Sequence, residues 1–117
     1  MVPSVNTTLS ALLAFGRKLG VHANNIANMN SEGFKKGRAV LKEGVGQTVT
    51  VEMGPVDSSR HTVSETSRHQ PQQTEPGDVE LAGEIVGAMT SQRGYEANLT
   101  VLKTEEELSG TLLDLLG

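Results

Sequence analysis

Side chains that could perform catalysis are concentrated between residues 57 and 69. A hydrolase or amidase would need a nucleophile, a base and an acid in contact with one another. The candidates for these roles are Asp57, Ser58, His61 and Glu65. Their surroundings are rich in Ser, Thr, Gln and Pro, which predicts a mobile loop with no nucleophile elbow and no pocket that excludes water. We therefore expect no enzyme, no catalytic residue and no small-molecule substrate.

Metal binding is the second kind of chemistry to consider. The chain has no cysteine, which excludes thiolate metal sites and disulfides. Its three histidines are His22, His61 and His69, and the last two fall in the same polar stretch. We interpret these two as exposed loop residues, and we expect neither a metal nor any other cofactor.

The composition limits how stable the isolated chain can be. With 117 residues there is room for one structural unit, and its three aromatic residues are Phe15, Phe34 and Tyr95. We therefore expect part of the stability to come from neighbouring molecules. No apolar run approaches the roughly 18 residues of a membrane span, and no secretory signal is visible at the start, so any export would be independent of a signal peptide.

Two apolar stripes with alternating spacings of four and three predict long helices at the two ends of the chain. The N-terminal stripe runs from Val5 to Ile26, with Ser4 or Asn6 as the expected N-cap. The C-terminal helix should follow an N-cap at Asp78 and approach 55 Å at ~1.5 Å per residue. The residues that we expect to form the seam are Leu9, Leu12, Leu19, Ile26, Leu81, Ile85, Tyr95, Leu99 and Leu102.

The middle of the chain has a different pattern. Apolar and polar residues alternate from residue 48 to 53, which indicates a β-strand. Gly44, Gly46 and the Gly54-Pro55 pair predict turns on either side of it, so a hairpin or a lone strand is expected. The predicted fold is mainly α, with long N- and C-terminal amphipathic helices pairing as a coiled coil and a small β-hairpin or loop insert. The expected sections are 1–39, 40–77 and 78–117.

Charge is distributed unevenly over a formal net charge of −4. Residues 1–42 carry +5, from six cations and one acid, whereas residues 75–117 carry −7, from nine acids and two cations. Such asymmetry can attract the two ends of one chain, or the N-terminal face of one subunit to the C-terminal face of the next. The densest basic cluster is Lys35, Lys36 and Arg38. Because the chain is acidic overall and the cluster has no interleaved aromatics, we expect no nucleic-acid binding.

Two motifs resemble those of bacterial flagellar rod and hook axial proteins. Residues 24–35 are similar to the family's N-terminal signature, which reads approximately Asn-Asn-Ile-Ala-Asn-x-Asn-Thr-x-Gly-Phe-Lys, with Ser31 in place of the threonine. Residues 78–98 are similar to its C-terminal helix. The first motif contains the residues expected to set a turn after the helix, namely Asn24, Asn25, Asn28, Gly33 and Phe34.

The resemblance implies a structural subunit of the flagellar basal-body rod. In this family the terminal helices pair and pack with neighbouring subunits into the inner core of a tube, and the short middle section here favours a proximal-rod type. The implied partners are other axial proteins and further copies of the chain, in a rod that spans the periplasm. The alternative is a soluble coiled-coil adaptor or export-linked partner, whose amphipathic helices would dock on another protein.

Overall fold

The computed structural model describes residues 2–56 and 79–117. In chain order its elements are the helix α1 (Val2–Ala27), the strands β1 (Gly37–Glu43) and β2 (Val49–Pro55), and the helix α2 (Leu81–Leu116). The candidate catalytic residues, together with His69 and Asp78, lie outside the described residues. The predicted fold class is confirmed, because two long helices pack against each other and a two-stranded antiparallel sheet is inserted between them in the sequence.

The two helices are antiparallel and in close contact along α1. The ring of Phe15 lies where a Cβ at Gly94 would be, 2.5 Å from it at the nearest atom, and the ring of His22 covers Gly87 in the same way. The two contacts are seven residues apart on each helix and run in opposite directions, which sets the register. Ser91, midway between the two glycines, is completely buried. Small residues on α2 thus allow aromatic side chains of α1 to approach its backbone.

The helix ends differ in part from the predictions. Helix α1 begins at Val2, so Ser4 and Asn6 lie inside it, and the expected N-cap was wrong. Its C-terminal end agrees with the sequence, because the Asn24 carbonyl accepts bonds from the backbone N and the side-chain Nδ2 of Asn28. The N-cap of α2 is Glu80, which makes no side-chain capping bond. The expected cap at Asp78 was therefore wrong as well.

The hairpin of β1 and β2 packs on α1. Gly37 pairs with Pro55 at one end and Glu43 with Val49 at the other. Gly54 and Pro55 are therefore the last strand residues and not a turn, contrary to the prediction. Pro55 is tolerated because the two-stranded sheet leaves it at an edge. The turn beyond Glu43 contains Gly46 and Gln47, both with positive φ, and the hairpin begins at 37 rather than at the expected boundary of 40.

Two hydrogen bonds hold the turn end of the hairpin to the first half of α1. The Thr7 hydroxyl donates to the Gln47 carbonyl at 2.7 Å, and the Val49 amide donates to the Ser10 Oγ at 2.9 Å. The apolar core is small, since the buried apolar residues of the described part are Ala11, Leu12 and Ala14. Within residues 2–56 and 79–117, no helix has the length and apolar character needed to cross a membrane.

The close helix contact predicts opposite effects of one substitution at two glycines of α2. Alanine favours helix over glycine by about 1 kcal/mol, and Gly110 has open space around it, so Gly110→Ala should raise the free energy of unfolding by about that amount. Gly94→Ala should instead lower it by about 1 kcal/mol, because displacing the Phe15 ring costs more than the helix propensity gains. Urea unfolding measures both. Equal stabilisation by the two changes would contradict the contact.

Candidate assembly surface and buried polar cluster

The contact seam between α1 and α2 lies one residue before the predicted stripes. On α2 the seam positions are Glu84, Gly87, Ser91 and Gly94. The predicted stripe contained Ile85 and Tyr95, which follow Glu84 and Gly94 by one residue. On α1 they are Phe15, His22 and Asn25, and the helical spacing places the buried Thr8 and Ala11 in line with them. One residue corresponds to roughly 100° around a helix, so the large apolar residues flank the seam instead of filling it.

The predicted stripes end up on the same side of the helix pair. Antiparallel helices turn in opposite senses when viewed from one end, so a step of one residue forward on both carries both stripes to one flank. Five of the predicted residues are 39–49% exposed there, and the other four are half-buried or buried. We call this flank the outer apolar surface. Its members are Leu9, Leu19, Ile26, Leu81, Ile85, Tyr95, Leu99 and Leu102, whereas the ninth predicted residue, Leu12, is buried in the core.

The hairpin occupies the opposite flank of α1. Thr7 and Ser10, which hold it, stand one residue before the seam positions Thr8 and Ala11. One residue backward corresponds to a rotation of roughly 100° around α1 in the opposite sense, so Thr7 and Ser10 face away from the outer apolar surface. The hairpin therefore leaves that surface uncovered.

A buried polar cluster joins α1, α2 and β1 at the C-terminal end of α1. Asn25 is 1% exposed, and its side-chain amide bonds both backbone groups of Gly37: Nδ2 donates to the carbonyl and Oδ1 accepts from the amide, each at 2.9 Å. The second hydrogen of Nδ2 is donated to Glu84 Oε2 at 3.1 Å. This residue fastens the start of the hairpin to both helices.

Glu84 is the charged member of the same cluster. Its Oε2 also lies 2.6 Å from Nδ1 of His22, whose ring covers Gly87. Burial by itself raises the pKa of the Glu84 carboxyl. The hydrogen bonds from His22 and Asn25, with the charges of His22 and Lys36, lower it by more. The net result is a pKa below the ordinary value, so the carboxylate form is favoured in the folded chain.

The other residues of the Asn-rich motif form the turn between α1 and β1. Asn28 accepts a bond from the Ser31 amide through its carbonyl, and Gly33 has φ +68°, a conformation that glycine adopts without strain. Asn24 is exposed and Phe34 is half-buried. Among the motif residues, Asn25 forms hydrogen bonds with Gly37 that the sequence did not predict. Capping of the helix was the simplest interpretation of its amide.

A basic cleft opens beside the polar cluster, between α1, β1 and the start of α2. It has a volume of about 530 Å³. The ionisable residues that line it are Lys18, Lys36, Arg38, His22 and Glu84. Apolar atoms come from Val40, Leu41 and Val56. In the part of the chain that the structure describes, no three potential metal ligands come together.

Comparison with known proteins finds family matches for the N-terminal and the C-terminal segment of the chain. Residues 6–35 match the family described as flagella basal body rod protein, and residues 77–115 match the C-terminal family of the flagellar basal body rod proteins FlgE, FlgF and FlgG. The chain belongs to the flagellar basal-body rod protein family. The first match covers most of α1 and the Asn-rich turn, and the second covers α2 almost to its end, so the predicted resemblance is confirmed.

Individual relatives have the same description. The chain is 28% identical over 114 residues to the flagellar basal-body rod protein FlgC of Salmonella typhimurium, with 85% of each chain covered, and equally to that of Salmonella typhi. It is 45% identical over 49 residues to the rod protein FlgG of Bacillus subtilis. That match covers 42% of this chain but 19% of the FlgG chain. The prediction of a structural rod subunit is confirmed.

The double contact of Asn25 with Gly37 predicts a large loss of stability on its removal. Asn25→Ala would leave the buried amide and carbonyl of Gly37 without their partner, at a cost of about 2–3 kcal/mol in the free energy of unfolding. Asn24→Ala is the matched control, because that side chain is exposed and should change the stability by less than about 0.5 kcal/mol. Urea unfolding measures both. Similar values for the two variants would argue against the cluster.

The lowered pKa of Glu84 predicts acid sensitivity. The folded state favours the carboxylate, so the unfolded state binds the proton more readily and the stabilisation is present above about pH 4.5. It should be lost as the pH falls through the lower folded pKa. Glu84→Gln should be less stable than the natural chain at neutral pH, and the difference should shrink in acid. Urea titrations of both proteins between neutral and acid pH measure it, and a difference independent of pH would exclude this linkage.

Proposed function

We propose that this rod subunit assembles through the outer apolar surface, which packs against the helices of neighbouring subunits. The observation that carries the proposal is the position of the largest apolar residues. Leu9, Ile85, Tyr95 and Leu99 are all 40–49% exposed, while the seam within the chain is built from small and polar residues. Soluble monomers rarely leave a large contiguous apolar patch uncovered.

The length of the helix pair supports the same function. Helix α2 has 36 residues, about 54 Å at ~1.5 Å per residue, and exposed apolar residues follow it from Leu81 near one end to the leucines of residues 108–116 at the other. A long, narrow unit with apolar residues along its length can contact several neighbours side by side. Contacts of this heterologous kind, which do not close into a ring, generate a helical assembly.

The partners that we propose are other rod proteins and further copies of this chain. The relatives named FlgC and FlgG are basal-body rod proteins, which supports the basal body as the location of this chain. The short insert, consisting of the hairpin and residues 57–78, supports a proximal-rod type without an elaborate outer domain. We further propose export by a route that does not use a signal peptide, and a position in the part of the rod that spans the periplasm.

Substitutions on the outer apolar surface should abolish assembly without unfolding the chain. Ile85→Lys combined with Leu99→Lys places two charges on residues that are already 43% and 49% exposed, so the free energy of unfolding should fall by no more than about 1 kcal/mol. Burying the two charges against a neighbour would cost far more. Sedimentation velocity and electron microscopy of concentrated protein, alone and with other rod proteins, measure assembly.

The control for this experiment is Val45→Lys, at the tip of the hairpin. Val45 is 97% exposed, and it is also apolar, but it lies away from the outer apolar surface. This variant should assemble like the natural chain. If the natural chain stays discrete at all concentrations and with all rod partners, an adaptor function replaces the proposed one. If the control loses assembly as fully as the double variant, the surface has no special part in it.

A further inference from the structure

The two ends of the molecule carry complementary charge. At one end lies the basic cleft, where Lys18, Lys36 and Arg38 surround a volume of about 530 Å³. Among the described residues, the carboxylate that lines it is that of Glu84, which is held by His22 and Asn25. The three cations form no ion pair with any residue that the structure describes. The cleft can therefore receive further carboxylates.

The opposite end is the C-terminal part of α2. In the register set by Phe15 with Gly94 and His22 with Gly87, the first residue of α1 stands beside residue 107 or so, and α2 continues to Leu116. Beyond that point, no helix of the described residues lies beside α2. From residue 106 to its end, α2 contains the exposed acids Glu106, Glu107 and Asp114, and its exposed leucines are Leu108, Leu112, Leu113, Leu115 and Leu116.

The two surfaces cannot meet within one chain. Glu84, which lines the cleft, and Glu107 are on the same helix, 23 residues apart, which corresponds to about 35 Å. A continuous helix holds them at that distance. Among residues 2–56 and 79–117, neither surface therefore finds its complement at the other end of the same chain, whereas a second copy offers it.

We propose that the acidic C-terminal end of α2 docks on the basic cleft of a second copy of this chain, so that the copies are joined head to tail. Carboxylates of residues 106, 107 and 114 occupy the cleft beside Lys36 and Arg38. The neighbouring leucines pack on Val40, Leu41 and Val56, which supply the apolar part of the same cleft. The inference rests on the proposed function and adds to it: side-by-side packing is apolar, whereas the axial contact is electrostatic and depends on salt.

Disulfide trapping between full-length chains tests this contact, because the natural sequence contains no cysteine. One variant carries Val40→Cys in the cleft and the other carries Thr111→Cys on the end of α2; both positions are exposed. Mixed under oxidising conditions, the two should form the mixed disulfide with about tenfold higher yield than a control pair of Thr90→Cys with Thr111→Cys. Thr90 is also exposed on α2, but it lies away from the cleft. High salt should remove the excess.

Charge reversal then identifies the groups responsible. Lys36→Glu with Arg38→Glu on the cleft variant should reduce the yield about tenfold, and so should Glu106→Lys with Glu107→Lys on the other variant. The two reversed variants mixed together should restore it, since opposite charges meet again. If the cleft variant fails to fold, as circular dichroism would show, reversal of the α2 end on its own still decides, because those residues are exposed.

The possible results separate the two proposals. A mixed disulfide no more abundant than the control, or one insensitive to charge reversal, overturns the head-to-tail contact even if the chain forms filaments. A specific, charge-dependent disulfide in a chain that never enters filaments or rods upholds the contact and contradicts the proposed function.

Discussion

The close approach of α1 and α2 is the constraint on which the rest of this structure depends. It is possible because α2 presents glycine and serine where the rings of Phe15 and His22 lie on its backbone. Once those residues form the seam, the register of the pair is set along its whole length. The large apolar residues then lie on one flank, and the end of α2 extends beyond α1. Both proposed contacts between subunits follow from this geometry.

The polar cluster adds the third element to the pair. A two-stranded hairpin is at best marginally stable by itself in water, so this one depends on its attachment to α1. Asn25 supplies the attachment at Gly37, and Thr7 and Ser10 supply it at the far turn. Asn25 and His22 also form hydrogen bonds with Glu84, so Asn25 connects the hairpin to α2. A change in the pairing of the helices would therefore alter the position of the start of β1.

The sequence predicted the elements well and the contacts less well. Spacings of four and three identified both helices, and alternation identified β2, because periodicity reports which residues share a face. It does not report which face meets which partner. The sequence left open whether the predicted stripes pair within one chain or between chains, and in the structure the close contacts of α1 with α2 lie one residue before several of the stripe positions. Gly87 and Gly94 were the available signal, since glycines seven residues apart in a helix suggest close packing. No pattern pointed to the contact of Asn25 with Gly37, because it joins residues of unlike type across a turn.

A seam of small residues has a consequence for assembly. Packing of Ala, Gly and Ser gives little apolar burial, so the isolated chain gains modest stability from its own helix pair. In the proposed assembly, the residues that would bury the most area pack against neighbouring subunits. Folding and assembly are then linked: any neighbour that binds the folded pair and not the unfolded chain stabilises it by mass action. On the proposed contacts, such a subunit would be loosely held together before assembly and would become rigid in the rod, because neighbours would then cover its outer apolar surface and its two ends.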